Sequence, residues 1–114
     1  VNIELTRFRV LTGKSSVVDQ WMKLLNDNLP AVLKTLDDEK MYIETIFSET
    51  LDGVDYLYWY SMQGEGGIEV QNSEHPIDQE HLKFWRECID PDFTPQQLLP
   101  RVSMIPDRIR SCMS

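Results

Sequence analysis

Two β-rich runs, MYIETIFSE at residues 41–49 and DYLYWYSMQ at 55–63, flank Leu51-Asp52-Gly53-Val54. Asp-Gly between such runs signals a β-hairpin, because the favoured tight turn needs residues that tolerate positive φ. The feature that most restricts the fold is that both strands are apolar on both faces. Met41, Ile43 and Phe47 share one side of the first run, with Tyr42 and Ile46 on the other; Tyr56, Tyr58, Tyr60 and Met62 oppose Leu57 and Trp59. Such a sheet cannot leave one face in water. Helices are expected on one side and a second copy of the chain on the other.

The rest of the chain supplies the helices. Asn2 to Val10 reads as a first strand closed by Thr12-Gly13-Lys14, with Ile3 and Leu5 of opposite parity to Phe8 and Val10, so it buries both faces or carries a bulge. From Ser15 or Ser16, read as the N-cap, apolar residues recur at three- and four-residue spacing through Trp21, Leu25, Leu29 and Leu36. Pro30 should kink this helix or restart it. A second helix is expected over Ile77 to Ile89, with His81, Leu82, Phe84, Trp85 and Cys88 on its apolar arc. Leu98 to Ile105 reads as a last strand, with Pro100 suited to an edge, and residues 106–114 as a tail. The order strand, helix, strand, strand, helix, strand predicts a ferredoxin-like βαββαβ protomer of the α+β class. It comprises one domain over residues 1–105, a four-stranded antiparallel sheet with two helices on one face.

Charge narrows the partners. Eleven Lys and Arg against nineteen Asp and Glu leave −8 on 114 residues, which excludes the phosphate attraction of nucleic-acid binders and disfavours anionic membranes. Between Asp37 and Leu82 twelve acids face one base, Lys40, a field hostile to anionic substrates. No apolar run reaches the ~18 residues of a membrane span, and Val1 to Val10 lacks a signal-peptide core, so a cytoplasmic location is expected. Cys88 and Cys112 form neither a CxxC pair nor a Cys/His cluster; a core thiol and a tail thiol are expected, with no disulfide and no zinc site.

The runs RFRVLTGKSSVVDQWMKLLN, EKMYIETIFSETLDGVDYLYWYSMQGEGG and HLKFWRECIDP resemble a bacterial family of small proteins classed as a domain of unknown function. The resemblance covers about residues 2 to 105, and LDGVDYLYWYSMQGEGG is its distinctive part. The family is similar to the dimeric α+β barrel superfamily, whose protomers pack sheet to sheet. That likeness implies a homodimer through the sheet face and a cleft between helices and sheet in each protomer. Better-known relatives are cofactor-independent monooxygenases, haem-degrading monooxygenases and sugar mutarotases. No catalytic residue carries over from the family itself.

Candidate site residues follow from chemistry at unusual positions. His81 lies mid-way along an apolar arc, where an imidazole serves as acid, base or axial ligand, or is a satisfied core group. Glu44 interrupts MYIETIF, where burial would raise its pKa; its alternative is exposure at a barrel rim or pairing with Arg7 or Arg9. Tyr58 or Tyr60 could complete a polar group with these two. Tyr42, Trp59 and Trp85 are candidate ligand-binding aromatics, although a dimer core uses the same residue types. Gly64-Glu65-Gly66-Gly67 lacks the phosphate-loop pattern and reads as a flexible turn or lid. Glu74, His75, Asp78 and His81 include a one-turn Asp/His pair, but Pro76 should place His75 outside the helix and pointing away, so no metal site is expected. Haem through His81 is weighed on the resemblance, yet the acidic field opposes its propionates, and no cofactor is expected. The functional expectation is a small neutral or weakly polar ligand in the cleft. The alternatives are cofactor-free oxygenation or mutarotase-like isomerisation by His81 and Glu44, and a purely structural or interaction module.

Overall fold

The computed structural model describes residues 1–113; of the expected tail, Ser114 lies outside the described residues. The elements are β1 (Asn2–Arg9), α1 (Ser15–Asp27), α2 (Leu29–Asp38), β2 (Met41–Leu51), β3 (Val54–Gln63), α3 (Pro76–Cys88), β4 (Gln96–Leu98) and α4 (Asp107–Arg110). The four strands form one antiparallel sheet in the order β2-β3-β1-β4, the ferredoxin-like arrangement. The hairpin turns at Asp52 (φ 50°) and Gly53 (φ 78°), the two positive-φ residues a type I′ turn needs.

Both faces of the sheet carry apolar side chains, as the strand parity requires. Phe8 of β1, Ile46 of β2 and Leu57 and Trp59 of β3 pack with Val18 and Trp21 of α1 and Phe84, Trp85 and Cys88 of α3. Trp21, Leu57 and Cys88 are fully enclosed. The aromatic rings interlock edge to face: Phe8 and Trp85 lie 4.7 Å apart at 78°, and Trp59 and Trp85 5.1 Å apart at 66°. The opposite face presents Ile3, Leu5, Ile43, Phe47, Tyr58, Tyr60 and Met62.

Several boundaries differ from expectation for identifiable reasons. The first helical run breaks at Asn28, and Pro30 sits in the first turn of α2, where its missing N–H costs nothing. Neither Ser15 nor Ser16 caps α1; Lys14 occupies the cap, and the Ser15 hydroxyl instead bonds the Asp55 carboxylate. A register irregularity between Met41 and Ile43 pairs Met41 with Gln63, so Met41 joins the helix side with Glu44 and Ile46 rather than the side of Ile43 and Phe47. The last strand is Gln96–Leu98, not Leu98 to Ile105. Pro100, two residues beyond, cannot donate to the ladder, and the chain leaves the sheet there. Within the expected tail, residues 107–110 form the short α4.

Candidate functional site

A cavity of about 600 Å³ opens between the sheet and helices α2 and α3. Its apolar walls are Phe8 and Trp59 from the sheet, Leu36 from α2, and Leu82 and Trp85 from α3. Into this setting the fold turns Glu39 from the end of α2, Glu44 from β2, and Asp78 and His81 from α3.

His81 is held rather than free. The Trp21 indole N–H donates to its Nδ1 at 2.9 Å. An indole N–H only donates, so Nδ1 must be the lone-pair nitrogen and the neutral ring carries its proton on Nε2. Burial lowers the His81 pKa, and the negative charge of nearby Asp78 pulls the other way. The ring is therefore a neutral donor through Nε2.

The carboxyls are pushed the opposite way. Glu39 is buried, and desolvation, followed by repulsion from Glu44, Asp78 and Asp38, raises its pKa from 4.5 to about 7. Burial also raises Glu44, a hydrogen bond from the Trp59 side chain partly offsets this, and Asp78 adds repulsion. Asp78, 6% exposed, keeps its Oδ2 out of solvent with no hydrogen-bond partner among the described residues. No Lys or Arg lines the cavity.

The loop after β3 closes one wall. Gly64 N–H bonds the Lys40 carbonyl at 2.7 Å, Ile68 N–H bonds the Asp38 carbonyl at 2.9 Å, and the Gln63 amide donates to the Glu39 carbonyl at 2.9 Å. A Cβ on Gly67 would collide with the Glu39 backbone, so only glycine allows this approach. The segment read as a flexible turn is thus fastened to the end of α2, and it helps to enclose Glu39.

The structure gathers some of the predicted residues and separates others. Glu44, His81, Trp59 and Trp85 share the cavity. Tyr58 and Tyr60 lie on the other face: Tyr58 donates to Glu49 at 2.5 Å, and Tyr60 lines a groove with Ile3, Leu5 and Leu98. The Tyr42 hydroxyl lies against Gly64, and Tyr42 is not among the cavity-lining residues. Arg7 and Arg9 do not reach Glu44; Arg9 pairs with Asp90 at 2.8 Å and Arg7 with Gln96. His75 precedes α3 and binds Asp38 at 2.6 Å, away from His81. Among the described residues no three His, Cys, Asp or Glu side chains are grouped to hold a metal ion. Glu39 was missed because Asp37-Asp38-Glu39-Lys40 reads as a solvated helix end, and Asp78 because an acid in a first helical turn reads as a partner of the helix dipole.

The model of a family of unknown function, DUF6176, matches residues 1–111. The chain belongs to this family. No curated protein matches this DUF6176 chain by sequence. Among solved structures it is similar to L-rhamnose mutarotase FA22100 from Formosa agariphila, with a TM-score of 0.55 and 18% identity over 93% of this chain and 100% of that one. At that identity the likeness establishes the ferredoxin-like fold, which the strand order of the DUF6176 chain shows independently. Among the described residues no helix is long and apolar enough to cross a membrane.

Proposed function

We propose that the chain binds a small polyhydroxylated molecule in the helix–sheet cavity and moves protons on it, as an isomerase of the mutarotase type. The observation that carries this reading is the convergence of Glu39, Glu44 and Asp78 on one cavity without a cation. Opening a cyclic hemiacetal requires one proton taken from the anomeric hydroxyl and one delivered to the ring oxygen as its bond to the anomeric carbon breaks; closure on the other face reverses both. Glu39, titrating at about 7, exchanges a proton readily near neutral pH. Glu44 supplies the second carboxyl, His81 Nε2–H a fixed donor to an oxygen, and Trp59 and Trp85 the apolar faces on which sugar C–H groups stack. This replaces the expected His81/Glu44 pair with Glu39/Glu44, because Trp21 occupies the nitrogen through which His81 would gain a proton. The fold neighbour's activity is consistent with the reading. The setting we propose is a homodimer through the sheet face opposite the cavity.

Exchange between anomers of free monosaccharides, followed by magnetisation transfer in proton NMR, tests it. At least one sugar should interconvert faster with the protein, and Glu39→Gln and Glu44→Gln should each remove about a hundredfold of that acceleration. No acceleration across aldoses and 6-deoxy-aldoses would overturn it.

A further inference from the structure

The cavity is one-signed. Glu4, Glu39, Glu44, Glu69 and Asp78 line it, against no Lys or Arg. The surrounding segment, Asp37 to Leu82, carries twelve acids and one base, and that base, Lys40, is exposed outside the cavity. An acidic surface needs no ligand to explain it. A carboxylate 94% removed from solvent with an unpartnered oxygen does, because a buried charge without donors costs several kcal/mol. Asp78 is that group, and it faces the cavity that Trp59, Trp85 and Phe8 line with aromatic rings.

Resting on the cavity being the ligand site, we infer that the molecule it takes carries a protonated amine, an amino-substituted polyol or small hydroxyalkylamine. Its ammonium pairs with Asp78, in the negative field of Glu44 and Glu39, beside Trp59 and Trp85. A hydroxyl offers one donor and no charge, whereas an ammonium offers three donors and the missing positive charge. It supplies the positive charge that the Asp78 carboxylate lacks and relieves the mutual repulsion of the three carboxyls. Indole faces attract the same group through cation–π contact. Burial first, and then repulsion from Glu44, Asp78 and Asp38, raises the Glu39 pKa, and a cation in the cavity relieves the second of these. A metal ion is a poorer occupant, since these side chains are not grouped for coordination. The expectation of a neutral ligand thus gives way to a cationic one.

The test compares ethanolamine with ethylene glycol, a pair differing in the charged group and free of stereochemical demands. Binding is read from the indole N–H signals of Trp59 and Trp85 at constant ionic strength, at a pH above the Glu39 titration. Ethanolamine should saturate with a Kd about tenfold lower than that of ethylene glycol. Asp78→Asn and, should that variant fold poorly, Glu44→Gln should remove the preference. If ethylene glycol or uncharged monosaccharides bind as tightly as the amine, or the variants keep the preference, the amine inference is overturned and the cavity reading stands. If neither the amine, the glycol nor any monosaccharide shifts the indoles, both are overturned.

Discussion

The Trp21 indole donates to Nδ1 of His81 across 2.9 Å, joining the fully buried centre of α1 to the cavity side of α3. The bond fixes the tautomer and opposes protonation, since a hydrogen added to Nδ1 would face the indole hydrogen. Trp21→Phe keeps a ring but removes the donor. It should destabilise the fold by about 1–3 kcal/mol and raise the His81 pKa relative to wild type. Urea unfolding and the imidazole Cε1–H titration measure both; an unchanged titration would mean that the indole does not set the tautomer.

Gly67 is the residue on which closure of the cavity wall depends. Alanine there would place a methyl group into the Glu39 backbone, and backbone cannot rotate aside. We expect Gly67→Ala to cost about 2 kcal/mol or more or to detach the loop, exposing residues 64–72 to protease. Because the loop helps enclose Glu39, the Glu39 pKa should then fall back towards 4.5, its ordinary value. Limited proteolysis and a carboxyl 13C titration would show the two effects together.

The frame of this protein was legible because its signals are local. Asp52-Gly53 announces the hairpin, and the parity of Ile3 and Leu5 against Phe8 and Val10 announces a sheet apolar on both faces. The site was only half legible. Glu44, His81, Trp59 and Trp85 stand out by interrupting or filling apolar patterns, but Tyr58 and Tyr60 lie on the opposite face to Trp59. The irregularity near Met41, which alters the phase of β2, leaves no sequence mark. Glu39 is enclosed in part by a distant glycine that packs on its carbonyl. The run LLPRVSMI misleads because an apolar segment reads as a strand, whereas Leu99, Val102 and Met104 are exposed at 79%, 71% and 83%.

Glu39 also makes stability depend on pH. Its folded pKa of about 7 lies above its ordinary 4.5, so between these values the folded protein holds a proton that the unfolded chain has released. Stability contributed by this group is full below pH 4.5 and is lost as pH rises through 7, a decline of about 3 kcal/mol. Glu44 acts with the same sign and His81 with the opposite one, so the difference between wild type and Glu39→Gln isolates the effect. The variant should be the more stable at pH 8 while losing isomerase activity. Urea midpoints across pH 4–8 that move in parallel for the two proteins would overturn the assignment.

The outer sheet face decides the assembly. Ile43 and Phe47 are 45% and 55% exposed there, and Leu98 of the edge strand is 43% exposed. Exposed apolar side chains this concentrated mark a contact surface. Apolar area returned to water costs about 25 cal/mol per Å², so covering the face with a second copy is favourable. The C-terminal segment also carries Leu99, Val102 and Met104 into the same groove, where Leu98 and Tyr60 meet it. Sedimentation velocity should therefore report twice the chain mass of 13.4 kDa. Phe47→Glu puts a charge on each copy within that contact, and should shift the protein to monomer while preserving its far-UV circular dichroism. The cavity, lined on the other face by residues of a single chain, should keep its affinity for ethanolamine in the monomer. A wild-type protein that sediments as monomer at all concentrations would overturn the sheet-to-sheet dimer.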